Sequence, residues 1–202
     1  MTPVDGGCSF AESPNLPATA ARLFWDRRID PLVLAVEARP AGIACPCAFD
    51  PAGLALLATI LVTPRGNEHL LLSDGCRRIQ IAVVSGSLLR GPVELVYRLE
   101  DGPAAKMQMQ ALTQFLTLRR HRAFRRWLHP PEAHAWRWIR QLRVHDALAA
   151  GASERQIATV LFGAAEIAEQ WKEGSGPLRS SVQRLIRRAR ATADRGYLKL
   201  LP

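Results

Sequence analysis

The sequence predicts an α+β chain, with a small N-terminal antiparallel sheet region followed by an all-helical region. Three observations carry this. Short strand-like runs fill residues 18–99, one pair of them flanking Asp74-Gly75. The apolar spacing turns helical after Gly102-Pro103. The charge divides at the same place: residues 1–100 hold nine Lys and Arg against ten Asp and Glu, net −1, while residues 101–202 hold eighteen against eight, net +10. The expected organisation is a loose arm over 1–20, an α+β domain over 21–102 and a helical domain over 103–202.

The arm contains Gly, Pro, Ser and Thr without a period. "PLVLAVEA" (Pro31 to Ala38) is the first clear strand, apolar and rich in β-branched residues. Asp50-Pro51 begins a short helix, with Asp as N-cap and Pro at the first helical position. "HLLLSDGCRRIQIAVV" reads as a hairpin, because Asp and Gly tolerate the positive φ of a tight turn. "GPVELVYRL" adds a further strand.

Beyond Gly102-Pro103 a helix is expected from Lys106 to Phe124, with Met109, Leu112, Phe115 and Leu116 inward and the basic end "LRRHRAFRRWL". Pro130-Pro131 stops it. The next helix, Glu132 to Ala149, carries Trp136, Ile139, Leu142 and Leu148 near one stripe and ends at Gly151. Trp127, Trp136, Trp138 and Trp171 read as core.

In "GASERQIATVLFG", Ser153 and Gln156 have capping-box spacing. Ile157, Val160 and Leu161 form the expected inward face, with Ala158 small where a neighbour crosses. About nine residues cannot stay helical alone. Fenced by Gly151 and Gly163, this helix must turn sharply onto its neighbours, which is helix-turn-helix grammar.

Two helices could follow the turn into a groove. Ala164 to Trp171 bears Glu166 and Glu169, which phosphates repel. Pro177 to Asp194 is the better candidate. Leu178, Val182, Leu185, Ile186 and Ala189 make one apolar stripe, and arginines crowd the other side. Arg179, Ser180, Gln183 and Arg184 are candidates for base contacts, since Arg and Gln pair bidentately with guanine and adenine edges. Arg187, Arg188 and Arg190 are candidates for the DNA backbone.

These residues also carry a resemblance. Leu142, Arg143, Asp146, Ala147, Gly151 to Ser153, Ile157, Ala158, Leu161 to Gly163, Trp171, Leu178, Arg179, Gly196, Tyr197, Leu200 and Leu201 match a multi-part pattern. It resembles the bacterial domain-of-unknown-function family 2285. The resemblance implies a helix-turn-helix variant of transcriptional activators and antiactivators of integrative and conjugative elements, with a related branch activating type VI secretion genes. One position departs: Arg195 replaces the first of the glycines that usually precede the tyrosine.

The expected function is a sequence-specific DNA-binding transcriptional regulator, an activator, docking a basic helix in the major groove. Double-stranded DNA is the expected partner, with a homo-oligomer and RNA polymerase or another regulator as further partners. The alternative is an antiactivator or adaptor that binds another regulator through the helical domain. No enzyme is expected: His69, His121, His129, His134 and His145 form no metal or triad spacing, and no phosphate-binding or nucleophile motif occurs. Cys8, Cys45, Cys47 and Cys76 lack the C-x-x-C spacing of a zinc site and read as free thiols of a cytoplasmic protein, with no metal, cofactor or membrane span.

Overall fold

The computed structural model describes residues 8–10, 16, 20–42, 45–171, 176–194 and 196–200. The chain divides into two compact units, Met1–Pro130 and Pro131–Leu201. Most of the expected arm, Cys8's side chain, Arg195, Tyr197's side chain and Leu201 lie outside the described residues.

In the first unit β1 (Cys8–Phe10) and β2 (Leu23–Trp25) pair antiparallel. A second sheet contains β3 (Leu34–Pro40), β4 (Ala58–Val62), β5 (Glu68–Ser73), β6 (Arg78–Gly86) and β7 (Val93–Arg98). Its order is β4-β5-β6-β3-β7. The pairings are antiparallel except for β3 with β6, which run parallel. The purely antiparallel expectation therefore fails at the sheet's centre. β3 comes early in the chain yet sits between β6 and β7, a position no local turn dictates.

Local signals elsewhere shape two turns. Asp50 caps a 3-10 turn, Pro51–Leu54, by accepting from the Ala52 amide at 2.9 Å. Asp74 organises the β5–β6 turn: its Oδ1 accepts from the Cys76 and Arg77 amides at 2.9 and 2.7 Å. Gly75 has φ +87° there, but Asp74 is not at positive φ, and the connection runs over four residues, Asp74 to Arg77, in place of the expected tight turn.

Alternation along the strands sends Leu34, Val36 and Ala38, Leu70 and Leu72, and Ile79, Ile81 and Val83 into one core. Onto this face packs α1 (Ala105–His121) through Ala111, Phe115 and Leu118. Phe115 is fully buried and meets Phe49 and Tyr97 edge-on, centroids 5.4 and 6.2 Å apart. Met109 and Leu116, expected inward, are exposed. Gly102-Pro103 thus marks the change from strand to helix, while contacts divide the chain at Pro130.

Three polar groups that sequence reading passed over tie this unit together. Gln80 exchanges two 2.8 Å hydrogen bonds with the Trp25 backbone. Buried Glu68 accepts from the Ser87 hydroxyl and the Leu88 amide. Buried Asp30 accepts from the Leu32 amide and pairs with Arg78. Each carboxylate is satisfied, as burial requires.

The second unit is helical: α2 (Ala135–Ala149), α3 (Glu154–Phe162), α4 (Ala164–Gln170) and α5 (Pro177–Ala193), then a 3-10 turn, Gly196–Leu200. Val144, Ile157, Ala158, Ile167, Val182, Ile186 and Ala189 form its core. Among the described residues no helix is long and apolar enough to cross a membrane.

Candidate nucleic-acid interface

The corner before α3 is built as the sequence dictates. The Gly151 amide donates to the Leu148 carbonyl at 3.0 Å and the Ala152 amide to the Ala147 carbonyl at 2.9 Å. With Gly151 at φ +81° this is a Schellman motif. Ser153 and Gln156 then form the capping box, the Gln156 amide donating to the Ser153 hydroxyl and the Ser153 amide to the Gln156 side chain. Gly163, φ +93° and ψ 151°, joins α3 directly to α4 in a conformation reserved for glycine.

α3 buries Ile157 and Ala158 against the core, and fully buried Ala158 leaves room for a neighbouring helix. Val160, expected inward, is 86% exposed. Ile157, Ala158 and Leu161 are enough to fill the seam, and packing turns Val160 out.

α5 anchors through the expected stripe: Val182, Ile186 and Ala189 are buried, and Leu178 and Leu185 pack beside them. Of the residues proposed for DNA, Ser180, Arg184, Arg187, Arg188 and Arg190 are exposed. Arg179 and Gln183 are half-buried and turned toward the start of α3. There the Gln183 amide donates to Glu154 Oε2 at 3.3 Å, and Arg179 Nε lies 3.8 Å from the same oxygen. Sequence reading gave Glu154 no role. Nothing in its spacing announces a reach to a helix about 25 residues downstream.

The opposite flank of α5 faces another set of residues. Ser181, Arg184, Leu185 and Arg188 line a cleft of about 280 Å³ with Arg140 of α2 and Phe162 at the end of α3. The Arg140 guanidinium carbon lies 5.4 Å from the Phe162 ring centre. Arg184 donates to the Ser181 hydroxyl at 3.1 Å. Sequence reading missed Arg140 because it belongs to an earlier helix.

Other expectations change. The tryptophans are not all core: Trp127 and Trp136 are 73% and 59% exposed, and Trp171 packs beside the helical core. Ile139 and Leu142, expected on α2's buried stripe, are exposed as well; α2 buries Val144, with Ala147 and Leu148 beside it. In "LRRHRAFRRWL", Arg119 donates to the Cys47 and Ala48 carbonyls and Arg122 to the Gly53 carbonyl. Those two guanidiniums fasten a loop, while Arg120, Arg125 and Arg126 stay exposed. His129 is half-buried with its ring 5.2 Å from Phe124.

Cys45, Cys47 and Cys76 carry free thiols. Among the described residues no cluster of His, Cys, Asp or Glu could hold a metal ion.

A family model described as "T6SS, Transcription factor, DNA binding domain" matches residues 98–202. No curated protein matches the chain.

Proposed function

The chain belongs to the T6SS transcription factor DNA-binding domain family, and from that premise we propose that it regulates transcription by laying α5 along the major groove of a specific operator. One observation carries the reading: α5's apolar stripe is buried while Ser180, Arg184, Arg187, Arg188 and Arg190 all face solvent. α5 is about 25 Å long, and the roughly 12 Å wide major groove admits a helix. Ser180 and Arg184 reach base edges, and Arg187, Arg188 and Arg190 hold phosphates. Arg179 and Gln183 join the base contacts once drawn from Glu154.

The finer form of this reading is an activator of type VI secretion or conjugative-element genes, acting in the cytoplasm as a homo-oligomer that contacts RNA polymerase. The experiment is fluorescence anisotropy on a labelled duplex over a salt series, followed by sequencing of duplexes selected by the tagged protein. Arg187, Arg188 and Arg190, as phosphate contacts, imply a log–log slope of magnitude at least about 2.7, so affinity falls at least roughly 40-fold between 50 and 200 mM salt. Alanine at Ser180 and Arg184 changes the selected motif without unfolding the protein. A wild-type chain that binds no duplex at low salt refutes the proposal.

A second reading, binding to another regulator, is favoured by the apolar residues left outside. Trp136, Ile139 and Leu142 recur every three residues on α2, and Val160 stands out from α3. Val160 also lines a groove of about 200 Å³ with Val144, Ala147, Ile157 and Leu161. Changing Leu142 and Val160 to Ser abolishes such binding and leaves duplex affinity unchanged.

A further inference from the structure

We propose that Arg140 and Arg188 form a phosphate seat on the flank of α5 that faces α2, beside the base-directed Arg184, and that it takes a backbone phosphodiester of the bound duplex. This rests on the duplex-binding reading and adds a residue outside α5 to it.

The three guanidiniums come from two helices and line one open cleft of about 280 Å³. Among the described residues none of the three makes an ion pair with a carboxylate. Like charges gathered without a counterion are unfavourable, and an anion in the cleft relieves this. Arg140 is also pre-set. Its guanidinium is held against Phe162, and its Nε is buried without a hydrogen-bond partner. Ser181, whose hydroxyl oxygen is held by Arg184, supplies a further polar group at the same place. Planar guanidiniums with several N–H donors suit the oxygens of a phosphate.

The seat also fixes where the sugar–phosphate strand runs. α3 spans about 12 Å from Glu154 to Phe162. Phe162 lies on the seat's side of α5, and Glu154 contacts Arg179 and Gln183 on the other. A strand seated at Arg140 therefore runs on the flank away from the Glu154 carboxylate.

The test uses the full chain, a labelled 30-base-pair duplex of the selected sequence, a random duplex, and inorganic phosphate as a separate probe. Wild type is measured first, so failure of duplex binding itself shows before any variant is used. Arg140→Gln is expected to weaken both duplexes by the same factor, about tenfold, and to reduce the salt slope by about 0.9. Arg140→Lys restores the slope but not the full affinity, because a point charge replaces the fork. Arg188→Gln, at an exposed position, repeats the slope change should Arg140→Gln fail to fold. Wild-type affinity and slope in folded Arg140→Gln overturn the proposal. Calorimetric binding of inorganic phosphate to wild type, with duplex binding unchanged in Arg140→Gln, means that the seat takes free phosphate and overturns the backbone assignment.

Discussion

Glu154 holds Arg179 and Gln183 away from the exposed face of α5, so changing it to Gln should tighten DNA binding while costing little stability. The Glu154 and Arg179 side chains are 40% and 36% exposed, and their charged atoms lie 3.8 Å apart. At that exposure solvent screens the pair to about 0–1 kcal/mol. A carboxylate in the first turn of α3 adds roughly 0.3–1 kcal/mol through the helix dipole. Glu154→Gln therefore lowers stability by about 1 kcal/mol in total. Gln can still accept from Gln183, so the local geometry survives. On the DNA side one carboxylate disappears and Arg179 becomes free. At fixed salt, affinity should rise about two- to fivefold, the equivalent of the released ion pair. Fluorescence anisotropy reads the affinity, with a thermal melt to confirm folding. Adding Arg179→Ala should erase the gain, a coupling that a double-mutant cycle isolates. Unchanged or weaker binding by folded Glu154→Gln refutes the idea that this carboxylate competes with DNA.

Other outcomes follow from the first unit. Gly86 has φ +84°, and a Cβ there would lie 1.8 Å from the Ala38 carbonyl oxygen across the parallel β3–β6 pairing. Gly86→Ala should cost about 3 kcal/mol or more, read as a lower denaturant midpoint; a change under about 1 kcal/mol contradicts the close approach. His69 and His129 are both held below the ordinary histidine pKa by burial. Their imidazoles take up protons more readily when unfolded, so their effect on stability is flat above about pH 6.5 and turns unfavourable as pH falls below it. Melting temperatures over that range should drop less in the double variant His69→Gln, His129→Gln. An equal drop in both proteins means that burial of these rings has no bearing on the pH response.

Much of the interface was legible in the sequence because its signals are local. A capping box needs only Ser153 and Gln156, three positions apart. The Schellman corner needs Gly151 past a helix end. The buried stripe of α5 follows from spacing within one helix. In each case the partners lie within a few residues, so the chain's own geometry decides the outcome.

The tertiary structure decided what one element does to another. Two apolar rows overlap on α1, and the sheet selected Ala111, Phe115 and Leu118 over Met109 and Leu116. Val36 and Val83 read alike as strand residues, yet only the sheet order brings their strands together in parallel. The same holds on α5, where seven polar residues look equivalent in the sequence. Glu154 draws Arg179 and Gln183 to one flank, and Arg140 meets Arg184 and Arg188 on the other. Periodicity fixes which side of a helix is apolar, but the charges that face its polar side come from distant residues, and only packing brings them there.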